Sequence, residues 1–470
     1  MIFRSYFDEN LAQSSYLVGC QRTGEAIVID PARSIYQYIE AAKRENLKIV
    51  AAAETHIHAD YLSGAKELAE QCDATLYLSD EGGEDWKYRY VNEVKHCLLK
   101  DGMSFEIGYV SFEVMHTPGH TPESISFVLT DKGAGAPQPM GVFTGDFVFV
   151  GDVGRPDLLE KAAGIADTAE LGARQMFHSV QRFKKLPDFL QVWPAHGAGS
   201  ACGKSLGAVP TSTVGYELLT NWALKENKEE KFVSTLLSGQ PEPPKYFQMM
   251  KQLNKEGPDL VKRAVIEELK NVDQLEKYGG DTVLLDTRDP RAFASAHFKG
   301  AINIPFNKSF TNWAGWLIGY SQSIVFITSQ KDLYAIRESL YSIGLDRVVA
   351  FIEPAVTLED PSRTEGYEVI NVQQLHELLH DDDHYLIDVR NQSEWDAGKI
   401  ENANHLMLGV LVDHLDELPK DKTYLLQCRS GARSAIAASL LQANGFKNVM
   451  NVKGGYTAWT TQKFPVVHSL

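Results

Sequence analysis

One segment of this 470-residue chain is written twice. Val283 to Ile302 and Tyr385 to Asn404 align with Asp286 over Asp388, Arg288 over Arg390, Phe293 over Trp395 and Ala301 over Ala403, each pair 102 positions apart. A period of that length is too long for a solenoid, whose repeats run roughly 20–45 residues. It suits two small α/β domains in tandem, each with a mainly parallel sheet. Each copy continues with a strand, a loop and a helix that ends at Gly344 or Gly445. At about 100–200 residues per domain, the residues before the pair must build a core of their own. The expected division is 1–237 for a first domain, 238–265 for an ordered linker, 266–361 for the first copy and 362–470 for the second. The linker is punctuated by Pro241, Pro243, Pro244, Gly257 and Pro258. Its amphipathic Tyr246–Leu253 piece is too rich in aromatic residues and Met for a free tether.

In the first domain, Tyr16–Gly19 and Ala26–Asp30 read as strands around a Thr23-Gly24 turn, and Pro31–Glu45 carries helical spacing. Strands are expected at Ile49–Ala53, Ala74–Leu78, Ser111–Met115, Ser124–Leu129 and Gly141–Phe143, with a helix at Gly64–Glu70. A strand-rich segment with interspersed helices and polar clusters at strand ends predicts an αββα sandwich with its site on one sheet edge. The whole chain is thus α/β multidomain.

Those polar clusters carry chemistry. After the Ile49–Ala53 strand comes Thr55-His56-Ile57-His58-Ala59-Asp60-Tyr61. Later come His120 in His116–Pro122, Asp146 in Phe143–Asp146, and His196 in Trp193–Gly197, each in a turn marked by Gly or Pro after an apolar strand. A lone strand-end histidine is usually structural. Ordered matches with such flanks converge on a shared edge and predict a metal site.

These motifs resemble those of the metallo-β-lactamase superfamily, in its glyoxalase II and persulfide dioxygenase branch. In binuclear members, the resemblance implies, the equivalents of His56, His58 and His120 hold one metal. An Asp-His pair and the equivalent of His196 hold the second, and Asp146 bridges. Here the pair reads Asp60-Tyr61. A phenol with pKa ~10 is a poor ligand beside a neutral imidazole, so the second metal should bind weakly or not at all. Persulfide dioxygenases use one iron. Carried over by motif, one non-heme Fe(II) per chain is expected on His56, His120 and Asp146. Two histidines and one carboxylate leave positions open for a sulfur substrate and O2, whereas a structural zinc site would be closed by four ligands. His58, Asp60 and His196 then orient ligands and handle protons, or are remnants of the second site. Arg155 and Asp157 match a GRxD motif of the dioxygenases and are expected to form an ion pair that holds the loop or orients substrate. Cys202, with small neighbours, is expected to be accessible and able to carry sulfur near the metal.

In the second copy, the strand Tyr424–Gln427 runs into Cys428-Arg429-Ser430-Gly431-Ala432-Arg433-Ser434 and a helix. A thiol among backbone N–H groups at a helix start, beside Arg429 and Arg433, is favoured as thiolate. The same cradle suits an anion such as sulfite or thiosulfate. The loop, the Asp388–Gly398 pattern and the Gly454–Trp459 ending resemble rhodaneses, which carry sulfur as a cysteine persulfide. The first copy reads Thr328-Ser329-Gln330-Lys331 at that place, and no cysteine lies between Cys202 and Cys428. It is expected to be inactive in sulfur transfer and to act as a spacer or docking surface.

Net charge −16 argues against nucleic acid and anionic membrane as partners. The N-terminus has no signal-peptide pattern and no run of 18 apolar residues occurs. Five scattered cysteines are no disulfide framework, and a reducing cytoplasm is the expected home. A homo-oligomer is left open. The expected partners are a small persulfide (of glutathione, coenzyme A or inorganic), O2, and sulfite or thiosulfate. The expected activity is oxidation of a persulfide to sulfite, with sulfane sulfur carried by Cys428. Two rivals are a glyoxalase II-like thioester hydrolase and a non-catalytic persulfide sensor.

Overall fold

The computed structural model describes every residue except 159, 161–167, 205, 381, 382, 469 and 470. It divides into two compact units, Met1–Lys262 with Tyr341–Gly344, and Arg263–Leu340 with Leu345–Leu470.

The first unit holds two six-stranded sheets. One is formed in sequence order by β1 (Ile2–Asp8), β2 (Gln13–Cys20), β3 (Glu25–Ile29), β4 (Lys48–Ala53), β5 (Thr75–Ser79) and β6 (His96–Leu99). It is antiparallel up to β3 and parallel from β3 to β6. The other is formed by β7 (Ser104–Ile107), β8 (Val110–His116), β9 (Ile125–Asp131), β10 (Gly141–Gly145), β11 (Gln191–Pro194) and β12 (Ser212–Thr213).

Side-chain alternation decides which face of each strand is buried against what. In β3, Ile27 and Ile29 point between the sheets, where they meet Phe112, Phe127, Phe143 and Trp193. Ala26 and Val28 point outward, onto Tyr38 and Ala42 of the helix Tyr36–Arg44 and Leu68 of the helix Ala65–Cys72. On the far side, Val128, Val142 and Val192 pack on Met176, Val180 and Phe183 of the helix Thr168–Phe183. The result is the expected αββα sandwich. Strands β3, β4, β8, β10 and β11 all end at one edge, and the loops leaving that edge carry the motif residues.

The proline-marked stretch after residue 238 contains the helix Tyr246–Glu256, which belongs to the first unit and buries Tyr246, Phe247, Met250 and Asn254.

The second unit contains the repeat as two five-stranded sheets. The first copy uses β13 (Glu267–Leu269), β14 (Thr282–Asp286), β16 (Ile302–Asn303), β17 (Ser323–Ile327) and β18 (Val348–Ile352). The second uses β20 (Glu368–Ile370), β21 (His384–Asp388), β22 (Asn404–His405), β23 (Thr423–Gln427) and β24 (Val449–Val452). A small pair, β15 (His297–Phe298) with β19 (Thr364–Glu365), lies apart. All strand pairs of both five-stranded sheets are parallel, and their spatial orders, β13-β18-β17-β14-β16 and β20-β24-β23-β21-β22, correspond strand for strand. The repeated Asp and Arg do the same work in each: Arg288 grips Asp286 at 2.6 Å and Arg390 grips Asp388 at 2.6 Å.

The helix Ala432–Ala443 of the second copy is buried along its whole length from Ser434 to Gln442. One side rests on its own sheet and another on the first copy, where the Asn303 amide N–H donates to Ser439 Oγ at 2.9 Å.

Candidate metal centre and cysteine loop

His56, His120 and Asp146 each offer a ligand atom within 4.8 Å of the others, and all three are buried. His120 Nε2 lies 3.4 Å from Asp146 Oδ2, and His56 Nε2 lies 3.9 Å from it. Asp60, His196 and Cys202 make a second such group. His196 Nε2 is 3.1 Å from Asp60 Oδ2 and 3.3 Å from Asp146 Oδ1, so Asp146 stands between the two groups.

Hydrogen bonds on the far side of each ring fix which nitrogen faces inward. His120 Nδ1 donates to the Arg155 carbonyl at 2.9 Å, and His196 Nδ1 donates to the Ala12 carbonyl at 3.0 Å. A carbonyl only accepts, so Nδ1 carries a proton in both rings, and in the neutral His120 ring this leaves Nε2 with its lone pair. For His56 the same result comes through two bonds. The Thr55 hydroxyl donates to Asp30 Oδ2 at 3.0 Å, which uses its one proton. It must then accept from His56 Nδ1, 3.0 Å away, leaving His56 Nε2 bare.

His56 Nε2, His58 Nδ1, Asp60 Oδ2, both Asp146 oxygens and His196 Nε2 are buried without a hydrogen-bond partner. Each such atom costs about 1–3 kcal/mol if nothing meets it. Five of the six, all but His58 Nδ1, belong to the two groups that meet at Asp146, and they fit a cation with nitrogen and oxygen ligands.

The electrostatics agree for the first group. Burial first, then the neighbouring imidazoles, hold His56 well below the usual histidine range. Burial also lowers His120. Both are neutral ligands at pH 7. Burial would lower His58 too, but Asp30 outweighs it and lifts His58 to about 9. His58 Nε2 sits 3.1 Å from Asp30 Oδ1, outside both ligand groups. His196 is likewise opposed by burial and raised well above the histidine range by Asp146 and Asp60.

Tyr61 does not point a ligand at either group. Its hydroxyl donates to the Asp30 carbonyl at 3.2 Å and its ring packs 4.6 Å from that of His58. Burial holds it well above the usual tyrosine range, so it stays a neutral phenol. Arg155 and Asp157 form a two-pronged ion pair, 2.7 Å on each arm. Gly154 lets this loop lie against Asp146, since a Cβ there would come within 1.8 Å of the Asp146 carbonyl oxygen.

Cys202 departs from expectation. It is 1% exposed, not accessible. The Arg155 amide bonds its carbonyl at 3.1 Å and draws the loop inward, and burial pushes the thiol up to about 12.

Three residues of the site have no motif. Asp30 holds Thr55 and His58, Glu123 accepts the Ile57 amide at 2.9 Å, and Asn254 donates to the carbonyls of His58 and Tyr61 at 2.8 and 2.7 Å. Asp30→Asn should lower metal affinity about 10–100-fold, measured by competition with a chromogenic chelator, because Thr55 then no longer fixes His56. Unchanged affinity would mean that the ligands keep their geometry without Asp30.

In the second unit, Cys428 is buried at the start of the loop after β23. Its sulfur accepts the Gly431 amide at 3.1 Å and lies 3.5 Å from the Ser434 hydroxyl. Gly455, at φ +50°, passes so close that a Cβ would meet the Cys428 carbonyl oxygen at 2.1 Å. Arg433 forks onto Glu394 at 2.6 and 2.8 Å, while Arg429 is exposed. In the first copy the corresponding loop is filled by its own bonds: Ser329 Oγ donates to Asp332 at 2.7 Å and the Gln330 amide donates to Glu353 at 2.8 Å.

No helix among the described residues is long and apolar enough to cross a membrane.

The model of the metallo-beta-lactamase superfamily matches residues 9–196, and that of the rhodanese-like domain matches residues 269–353 and again 371–462. The crystal structure of a metallo-beta-lactamase from Staphylococcus aureus subsp. aureus COL is 45% identical. It covers 75% of this chain and 99% of its own, with a TM-score of 0.70. The mitochondrial persulfide dioxygenase ETHE1 of Bos taurus is 28% identical over 42% of this chain and 68% of its own length. The putative sulfurtransferase YtwF of Bacillus subtilis (strain 168) is 42% identical over 18% of this chain and 82% of its own length. With the sandwich, the ligand edge and the duplicated parallel sheets in place, the chain belongs to the metallo-β-lactamase superfamily in its first half and is a fusion of that domain to two rhodanese-like domains.

Proposed function

We propose that the chain oxidises a low-molecular-weight persulfide with O2 at one iron and moves sulfane sulfur through Cys428. The observation that carries this reading is the set of unpartnered, buried ligand atoms around Asp146, joined in one chain to a rhodanese-like cysteine loop. Similarity to persulfide dioxygenase and sulfurtransferase relatives supports it.

The overall change is R–S–SH + O2 + H2O → R–SH + SO3²⁻ + 2H⁺. The terminal sulfur is oxidised, O2 is reduced, and the S–S bond breaks with the thiol leaving. Ferrous iron on His56, His120 and Asp146 would supply open positions where persulfide sulfur and O2 meet. The protein orients both imidazoles through Arg155 and Thr55 and excludes water by burial. Asp60 and His196, 3.1 Å apart and beside Asp146, can keep that carboxylate in position. At Cys428, a persulfide gives its outer sulfur to sulfite, Cys–S–S⁻ + SO3²⁻ → Cys–S⁻ + S2O3²⁻. The Gly431 amide is placed to stabilise the departing thiolate.

The test is O2 uptake with glutathione persulfide alongside metal analysis. One iron per chain and one O2 per persulfide are expected; two metals with no oxygen consumption would sink the reading. A thioester hydrolase is the second reading, favoured by the Asp60, His196 and Cys202 group. Tyr61→His should raise the metal count from one toward two, and a count that stays at one would place the selectivity elsewhere in the site.

A further inference from the structure

One proton in the second unit can be placed from hydrogen-bond donors and acceptors alone. Asn451 lies in β24 and Ser434 in the helix Ala432–Ala443, and both are buried, as is Cys428. Asn451 Nδ2 donates to the Gly431 carbonyl at 3.2 Å. A carbonyl only accepts, so the amide nitrogen must face Gly431 and Oδ1 must face the other way. That Oδ1 is 2.6 Å from Ser434 Oγ. An amide oxygen also only accepts, so the single hydroxyl proton of Ser434 points at Asn451. Ser434 Oγ then turns lone pairs toward Cys428 Sγ, 3.5 Å away.

The surroundings of Cys428 therefore suit one state of the sulfur better than the others. Sγ accepts the Gly431 amide at 3.1 Å. As a thiol it can also donate S–H to Ser434, and both contacts are then complementary. A thiolate, or a persulfide whose outer sulfur has replaced the hydrogen, faces Ser434 with lone pair against lone pair. The charges near the loop are fixed by other pairings. Arg433, the cation whose charge acts on Cys428, is forked onto Glu394. Arg390 is bound to Asp388 and lies 4.0 Å over the Tyr456 ring, while Arg429 and Lys453 are exposed. In the cysteine-less copy the strand registers put Phe351 of β18 where Asn451 stands. An apolar side chain at that sheet position is thus compatible with the fold.

We propose that Asn451 is a positioning residue for sulfur transfer. By taking the Ser434 proton it makes Ser434 an acceptor that holds the S–H of the discharged Cys428, so the loop favours the empty carrier and holds outer sulfur loosely. Loading is Cys–SH + R–S–SH → Cys–S–SH + R–SH. The outer sulfur of the donor bonds to Sγ, the donor S–S bond breaks, and the Cys428 proton leaves with R–S⁻. The bond to Ser434 is present before this step and absent after it. It is recovered when the outer sulfur is handed on and Sγ is protonated again. The consequence for loading rests on the sulfur-carrier reading of Cys428; the hydrogen bond does not.

The test uses the full chain and follows Cys428 by mass spectrometry of its own peptide, so the other four cysteines do not interfere. Iodoacetamide reacts with the thiolate, not the thiol. At about pH 6, Ser434→Ala should react about 2–5-fold faster than wild type, the scale of one weak hydrogen bond. Asn451→Leu should react about 5–20-fold faster, because Ser434 is then free to donate to the thiolate. At about pH 10, where thiols are ionised, all rates should agree within about twofold. The double variant should match Ser434→Ala, since Asn451 acts through Ser434. A slower Ser434→Ala at the lower pH would show that the hydroxyl donates to sulfur, and the proposal would be overturned. So would an unchanged Asn451→Leu, a double variant at the Asn451→Leu rate, or an acceleration that persists at the higher pH and reports a loosened loop. Ser434→Ala places the best helix former in a helix, so the sign of its effect decides the matter without Asn451→Leu. With glutathione persulfide and glutathione at a fixed ratio and no oxygen, the proportion of charged to discharged Cys428 should rise about 2–5-fold in Ser434→Ala. An unchanged proportion would overturn the loose hold on outer sulfur. Should Cys428 take up no outer sulfur in any variant while alkylation behaves as expected, the sulfur-carrier reading falls and the Asn451 assignment stands.

Discussion

Cys428→Ser is expected to lower sulfur transfer from thiosulfate to cyanide by at least about 10³-fold, while O2 uptake with a persulfide stays within about twofold. A hydroxyl is nearly isosteric but cannot hold sulfur as a persulfide. The Gly431 amide and Ser434 hydroxyl that surround Cys428 Sγ would remain in place, so the loop should keep its shape. The contrast between the two assays is the informative part. Loss of both activities would mean that the metal centre needs the cysteine. Retention of sulfur transfer would mean that another of the five cysteines carries it, and Cys202, 1% exposed, is poorly placed to do so.

The mirror-image result is expected of Asp146→Ala. Asp146 has one oxygen 3.4 Å from His120 Nε2 and the other 3.3 Å from His196 Nε2, so its removal breaks both ligand groups at once. Bound metal should fall below one-tenth per chain. O2 uptake should drop by at least about 100-fold, with thiosulfate-to-cyanide transfer unchanged. Metal content by plasma emission and oxygen electrode traces on the same preparation check this. Full metal with full O2 uptake would remove Asp146 from the ligand set and with it the two-histidine, one-carboxylate reading.

What could be seen in the sequence, and what could not, follows from how each residue reaches the site. His56, His120, Asp146 and His196 follow apolar strands and sit in turns, so local pattern alone announces them. The duplicated domains were visible because Asp286 and Asp388, with their arginines, have the same partners in both copies. Asp30 has no such signal. It belongs to the site because the parallel register pairs Ile29 with Ala53, which carries the next residue, Asp30, alongside Thr55. Glu123 and Asn254 are likewise brought in by packing across sheets and helices, which spacing along one strand cannot report. Cys202 is illegible for the opposite reason. Small neighbours suggested exposure, but the bond from the Arg155 amide and the salt-bridged Arg155 loop fold the segment inward. In the second copy Glu394 stood within a recognised stretch, yet its grip on Arg433 depends on a contact between residues 39 positions apart.

The helix that begins at Ala432 has no free face: its residues from Ser434 to Gln442 are buried, and Ser439 is tied to Asn303 of the cysteine-less copy. Anyone cutting the chain near residue 361 to obtain a minimal sulfur carrier would strip one wall from the helix that begins at the reactive loop, leaving a greasy stripe to find a substitute in solution. A duplicate can thus forfeit its chemistry without becoming dispensable. For engineering, as for inheritance, the smallest portable piece is the pair.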